Sequence, residues 1–162
     1  MTDAPHLLIV WHSRTGGSKA LAKAAAEGGG TAARLVAVED VTPDLLLAAG
    51  GYLFVGPENL AALSGAMKEM FDRSYYPCLG KLEGRPYATI ICAGSDGENA
   101  QRQLDRIATG WRLKRVADHI IVNTDAQTPE AILAPKTIAA GRLAEARDLG
   151  AALAEGLAAG IF

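Results

Sequence analysis

The residues best suited to chemistry follow the first apolar run of the chain. Leu7-Leu8-Ile9-Val10-Trp11 leads into His12-Ser13-Arg14-Thr15-Gly16-Gly17-Ser18, and then directly into the helical pattern Lys19-Ala20-Leu21-Ala22. Three hydroxyls and two glycines at a helix N-terminus make an anion site, because free backbone N–H groups and the positive end of the helix dipole converge there. A phosphate is the natural occupant. A Walker loop requires GxxxxGK[ST] and a dinucleotide fingerprint requires GxGxxG, and this segment offers only Gly16-Gly17. His12 and Ser13 stand where a receiver domain would carry acidic residues, and no cysteine stands where a cysteine phosphatase needs one. What remains is a monophosphate held by hydroxyls and main-chain amides. Charge-assisted hydrogen bonds contribute roughly 1.5 to 3 kcal/mol each, so a handful suffices without a lysine. The alternative reading of Ser13 to Ser18 is a plain strand-to-helix turn with a hydroxyl cap.

Such a loop has to be positioned by a sheet. Further apolar runs are Leu35-Val36-Ala37-Val38, Tyr52-Leu53-Phe54-Val55, Ala88-Thr89-Ile90-Ile91-Cys92-Ala93 and Ile120-Ile121-Val122. Most are continuously apolar, as parallel strands covered on both faces must be. Between them Met67, Met70, Phe71 and Ser74, then Ala100, Leu104, Ile107, Ala108 and Trp111, recur at helical spacing, and Leu143, Ala146, Leu149, Leu153 and Leu157 mark a final covering helix. Five strands joined by crossovers make a doubly wound α/β sheet, with one domain expected over residues 1–162. Gly28-Gly29-Gly30 reads as the stop of the first helix, and Asn123 to Pro135 as a long loop. The ligand crevice of such a sheet lies beyond the carboxyl ends of its strands.

Composition narrows the function classes. Of 162 residues 49% are hydrophobic and 21% charged, the balance of a chain that folds by itself, and a net charge of −2 gives no general grip on nucleic acid or an anionic membrane. No apolar run approaches a membrane span and no targeting segment stands out, so a cytoplasmic location is expected. Cys78 and Cys92 lack a CxxC spacing, and His6, His12 and His119 are scattered, which argues against a metal site and for buried thiols. Only 6% of residues are aromatic, so a planar ligand would be held by few rings.

Ser13-x-Thr15-Gly16-x-Ser18 after an apolar strand resembles the FMN-phosphate loop of the flavodoxin-like superfamily. Gly56-Pro57-Glu58-Asn59-Leu60, followed by Ser64-Gly65-Ala66-Met67-Lys68 and Phe71-Asp72-Arg73, resembles the corresponding blocks of NADPH-dependent FMN reductases and related NAD(P)H:quinone reductases, and Gly94-Ser95-Asp96-Gly97 occupies the place of a second flavin-edge loop. The resemblance runs from about Leu7 to Trp111. It implies a flavodoxin-like fold with strand order 2-1-3-4-5. It also implies an FMN phosphate among Ser13, Arg14, Thr15, Gly16, Gly17 and Ser18. The isoalloxazine edge would then lie along Pro57, Glu58, Asn59, Leu60 and Ala61, with Gly94, Ser95, Asp96, Gly97 and Asn99 closing the other side. The implied activity is an FMN-dependent oxidoreductase that takes electrons from NAD(P)H as co-substrate and passes them to a quinone, flavin or other small aromatic acceptor; the alternatives are a flavodoxin-type electron carrier and a non-catalytic FMN-binding module. The flavin would carry the chemistry, and no catalytic side chain is assigned. Neither nucleic acid nor membrane is an expected partner, and homo-oligomer formation is left open.

Several of these residues have a second reading. Ser95 with Glu98 fits a capping box, which would make Ser95 and Asp96 helix-starting residues. His12 reads as a packing histidine, Glu58 and Asn59 as residues of a loop, Tyr75-Tyr76-Pro77 as core or interface, and Arg112, Lys114 and Arg115 as a solvated face.

Overall fold

The computed structural model describes residues 4–162. Strands β1 (Leu7–Trp11), β2 (Ala33–Ala37), β3 (Gly51–Asn59) and β5 (Pro86–Ala93) pair in parallel, in the spatial order β2-β1-β3-β5. The fifth position is filled by two short strands, β6 (Lys114–Arg115) and β7 (Ile120–Asn123), which pair in parallel with the first and second halves of β5. The order 2-1-3-4-5 expected from the resemblance is therefore present, with its last strand broken at residues 116–119. A two-residue strand β4 (Ala62–Leu63) folds back antiparallel on the end of β3.

Alternate side chains of each strand enter two cores. Leu7 and Ile9 of β1, Leu53 and Val55 of β3, and Ala88, Ile90 and Cys92 of β5 pack against helices α1 (Gly17–Gly29) and α6 (Ala140–Ala159). Leu8, Val10, Tyr52, Phe54, Tyr87 and Ile91 face α2 (Pro43–Ala48), α3 (Gly65–Cys78) and α4 (Glu98–Gly110). Burial on both sides is why the strands read as unbroken apolar runs. The second core also collects most of the rings. Tyr52, Phe54, Phe71, Trp111 and Tyr75 form a continuous series of contacts with centroids 5.2–5.9 Å apart, and Tyr87 packs on Phe54 at 6.5 Å. Trp111 donates its indole N–H to the Tyr75 carbonyl at 3.0 Å, so Trp111 and Tyr75 belong to the core.

The glycine run after α1 does more than stop the helix. α1 continues to Gly29 and Gly30 caps it, but a Cβ on Gly28 would lie 1.9 Å from the Arg147 carbonyl oxygen, and one on Gly150 would lie 2.0 Å from that of Ala25. The two helices approach backbone to backbone at these positions, which only glycine permits.

The segment expected as a long loop from Asn123 to Pro135 contains a one-turn helix, α5 (Pro129–Leu133). Thr128 caps it, accepting the Ala131 N–H at 3.2 Å, and Pro129 opens it where no N–H is needed.

Candidate functional site

The strand register brings the carboxyl ends of β1, β3 and β5 together, with Trp11 opposite Val55 and Pro57 opposite Cys92. The loops that follow border a cavity of about 470 Å³, within the range of small-molecule sites. Ser13, Arg14, Thr15, Gly17 and Ser18 line it on one side, Pro57 to Ala61 on a second, and Gly94 and Ser95 on a third. Of the residues singled out in the sequence, Gly16, Asp96, Gly97 and Asn99 do not border the cavity.

The first loop is folded by its own hydrogen bonds. Ser13 Oγ accepts the Gly16 N–H at 3.0 Å, and Gly16, at φ +96°, turns the chain into α1. The first intrahelical bond runs from Ala20 N–H to the Gly16 carbonyl, so the N–H groups of Gly17, Ser18 and Lys19 precede the ladder and remain as donors. Ser18 is buried and its Oγ has no hydrogen-bond partner. It lies beside the thiol of Cys92, whose pKa burial raises, with Lys136 and Ser18 opposing that rise. Gly17 is a contact glycine, since a Cβ there would fall 2.8 Å from Cys92 Sγ.

His12 stands apart from this chemistry. Its Nδ1 lies 2.8 Å from Ser64 Oγ, and Ser64 caps α3 by accepting the Met67 N–H at 3.3 Å. Burial lowers the imidazole pKa, Glu39 opposes this and Arg14 adds to it, so the ring is a neutral packing group as the sequence suggested.

Glu58 and Asn59, read from sequence as loop residues, belong to β3. The strand runs four residues past its last pairing with β1 and turns back through Leu60 and Ala61, at φ +52° and +60°. Two successive left-handed residues make the turn type that suits the twist of a hairpin, but Asn-Gly is its usual sequence and side chains such as Leu and Ala are strained there. The strain is held by α4: Asn99 Nδ2 donates to the Ala61 carbonyl at 2.6 Å, and Gln103 Oε1 accepts the Leu63 N–H at 2.8 Å. Leu60 is left fully exposed at the tip.

Glu58 reaches across to the third loop, where its Oε2 accepts the Gly97 N–H at 2.7 Å. Desolvation raises its carboxyl pKa, partly offset by that bond, and Asp96 adds to the rise. Gly97, at φ +90°, is the N-cap of α4, while Asp96, at φ +65°, accepts the Glu98 N–H at 3.3 Å. The capping box expected from Ser95 and Glu98 does not form, because these two left-handed residues start the helix two positions later than a Ser95 cap would. Ser95 is instead free at the cavity edge.

A fourth wall gave no functional signal in the sequence. Thr124, Ala126, Ile132, Leu133 and Lys136 border the same cavity. The segment is pinned by Thr124 N–H to the Ala93 carbonyl at 2.8 Å and Ala126 N–H to that of Gly94 at 3.0 Å, and at its far end by Lys136 N–H to that of Thr15 at 2.8 Å. The Lys136 ammonium donates to the carbonyls of Ala131, Ile132 and Ala134 at 2.7–2.8 Å, closing the C-terminal end of α5. The Thr128-Pro129 pair with Glu130 was the one sequence signal for this helix.

Elsewhere, among the described residues, no group of three or more His, Cys, Asp or Glu is placed to hold a metal ion, and no helix is long and apolar enough to cross a membrane. Cys78 and Cys92 are buried and free.

No protein-family model matches the chain. A flavodoxin from Aquifex aeolicus (strain VF5) is 33% identical over 93 residues, 55% of this chain and 48% of the relative, so the match spans about half the relative's length. Among solved structures, the flavodoxin, WrbA-like protein from Agrobacterium tumefaciens superposes with a TM-score of 0.76 at 21% identity, covering 94% of this chain and 97% of that one. A flavodoxin from the domain Archaea gives 0.74 at 18%, covering 94% and 98%. A strand order of 2-1-3-4-5, a crevice at the carboxyl ends of the central strands and near-complete coverage in both directions show that the chain has the flavodoxin-like fold.

Proposed function

We propose that this chain binds FMN in the crevice and uses it to pass electrons from NAD(P)H to a quinone, a free flavin or another small aromatic acceptor. One observation carries the reading: a cavity of ligand size is floored by a helix N-terminus with a buried, unpartnered hydroxyl, Ser18 Oγ, and no aromatic side chain lines it.

The residues fit the cofactor. Ser18 Oγ, the N–H groups of Gly17, Ser18 and Lys19, and the hydroxyls of Thr15 and Ser13 would hold the phosphate, with exposed Arg14 as a cation at the cavity edge. Lys136 is not available for that role, since its ammonium is committed to three carbonyls. Pro57 to Ala61 and the Gly94-Ser95 edge would supply backbone groups to the ring. When bound, FMN supplies hydride acceptance and onward electron transfer; the protein supplies position, a dry floor and the hydrogen bonds around the ring. The bond between Glu58 and Gly97 fixes the two ring-edge loops to each other before any ligand arrives. His12 is engaged with Ser64 and the Glu58 carboxylate with the Gly97 N–H, so both side chains are committed to holding the loops, in keeping with a reaction that the cofactor performs.

The likeness to the Aquifex flavodoxin favours a second reading, a one-partner electron carrier. The net charge of −2 argues against it, because a carrier that docks on basic partners gains on-rate from a strongly acidic surface. The test is to load the protein with FMN and follow NADH and NADPH oxidation with a quinone in excess. Turnover in many-fold excess of protein supports the reductase. Tight FMN without nicotinamide oxidation supports the carrier, and failure to bind FMN at micromolar concentration overturns both.

A further inference from the structure

The least accounted-for part of the crevice is the strap between β7 and α6. It is bonded at one end to the carbonyls of Ala93 and Gly94 and at the other to that of Thr15, so it bridges two of the loops that build the site. Between these anchors most of residues 127–135 are exposed. An exposed strap would ordinarily be polar, yet Ile132 and Leu133 are 50% and 70% exposed. Both border the cavity, and Leu60, 102% exposed, borders it from the hairpin. Large exposed aliphatic side chains gathered at one cavity signal an apolar occupant. The remaining ring inventory explains why the task falls to them, since six of the nine aromatic residues lie in the single series of ring contacts of one core.

We infer that Ile132 and Leu133 of the strap, with Leu60 of the hairpin, form an aliphatic clamp for the flavin ring, in place of aromatic stacking partners. The inference rests on the FMN reading above and adds to it the residues that recognise the ring as distinct from the phosphate. The strap is pre-set for this. The Lys136 ammonium closes the carbonyl end of α5, Thr128 caps its amide end, and Ile138 is buried at the far anchor. The aliphatic pair is thus presented on a short rigid turn, which lowers the ordering cost on binding. Aliphatic walls also leave the ring electronically undisturbed. Tyrosine and tryptophan quench an excited flavin by donating an electron at van der Waals contact, whereas leucine and isoleucine cannot.

The experiment titrates wild-type protein, the double variant Ile132→Ser/Leu133→Ser, and Thr15→Ala with FMN and with riboflavin, following flavin absorbance and emission. Exposed side chains are changed, so the apoprotein melting temperature and circular dichroism serve as the fold control. The double variant is expected to lose affinity for both flavins by the same factor, about ten- to hundredfold for roughly half of two aliphatic side chains no longer covered. Thr15→Ala is expected to lose FMN affinity and leave riboflavin unchanged. Bound FMN in the wild type is expected to stay fluorescent. Unchanged flavin affinity in the double variant, or emission quenched below a tenth of free FMN, overturns the clamp while leaving FMN binding intact. A shift from dimer to monomer in sedimentation with unchanged flavin affinity also overturns it, by assigning the patch to a second copy of the chain. A wild type that binds neither flavin overturns the clamp and the FMN reading together.

Discussion

Ser18 should be a residue whose removal stabilises the empty protein and weakens the loaded one. It is 2% exposed, its Oγ has no hydrogen-bond partner, and its neighbour is a thiol that stays protonated because burial raises its pKa. An unsatisfied buried hydroxyl costs about 1–3 kcal/mol, and contact with a weak sulfur partner returns a fraction of that. Ser18→Ala deletes the hydroxyl and keeps the Cβ, so it leaves a gap of one oxygen atom only, and alanine is the better helix former in the first turn of α1. The net gain is about 1 kcal/mol, which for a chain of this length raises the melting temperature of the apoprotein by about 2–4 °C. With a phosphate in place the sign reverses. The hydroxyl then makes a charge-assisted bond of about 1.5–3 kcal/mol, and its loss raises the FMN Kd by about ten- to hundredfold. Thermal unfolding of the two apoproteins and FMN titration of each supply the two numbers. An apoprotein that melts lower than wild type, together with unchanged FMN affinity, would refute the reasoning, because it would make Ser18 a satisfied packing residue.

Three further outcomes follow from the geometry. Ala61→Gly relieves a left-handed residue at φ +60° and should stabilise the apoprotein by about 1 kcal/mol, read as a higher urea midpoint; a lower midpoint would show that the turn is unstrained. Gly150→Ala drives a Cβ to 2.0 Å from the Ala25 carbonyl oxygen and should cost about 2–3 kcal/mol as α1 and α6 are forced apart, so a melting temperature within 2 °C of wild type, well inside the expected drop, would contradict the packing. Glu58 has a raised folded pKa, so its ionisation opposes folding: its contribution is fully present below the ordinary carboxyl range and is lost as pH rises through the folded pKa. Glu58→Gln keeps an acceptor for the Gly97 N–H and should flatten the fall in stability between pH 4 and pH 7, measured by denaturant midpoints at each pH; an unaltered pH profile would remove Glu58 as the titrating group.

How much of this could be read from the chain varies by element, for physical reasons. β1, β3 and β5 are legible because double-sided burial writes itself as a continuous apolar run. β6 is not, since Lys114 and Arg115 are exposed and pair only through their backbones. The β3–β4 hairpin is hidden because its turn uses Leu60 and Ala61, where tertiary bonds from Asn99 and Gln103 override local preference. Asn99 was singled out as a candidate ligand residue, and its amide instead braces the hairpin that borders the cavity. Gly28 was read as a helix stop, and its second role, the contact with α6, depends on a residue 119 positions later in the chain. The first loop of the crevice is legible because its hydroxyls and glycines are contiguous, whereas the strap contributes Ile132, Leu133 and Lys136 across a stretch whose Thr and Pro content reads as loop.

The placement of the rings links fold to function more tightly than their number does. A chain with nine aromatic residues has enough to flank a flavin, so scarcity alone does not empty the crevice. What empties it is the two-sided sheet. Six rings are committed to the face shared with α2, α3 and α4, where Phe54 and Trp111 are fully buried, while the face that continues into the crevice through Cys92 is covered by α1 and α6 mainly with alanine, leucine and glycine, with Trp11 half-buried at the end of β1. Close approach of α1 and α6 at Gly28 and Gly150 demands small residues on that side, and α1 is also the helix whose N-terminus floors the site. The same packing that seats Gly17 against Cys92 therefore keeps small side chains along this wall, and among the described residues no aromatic side chain borders the cavity. On the proposed FMN reading, ring recognition comes from outside the two cores, from the hairpin tip and the strap, and both carry exposed aliphatic side chains at the cavity edge.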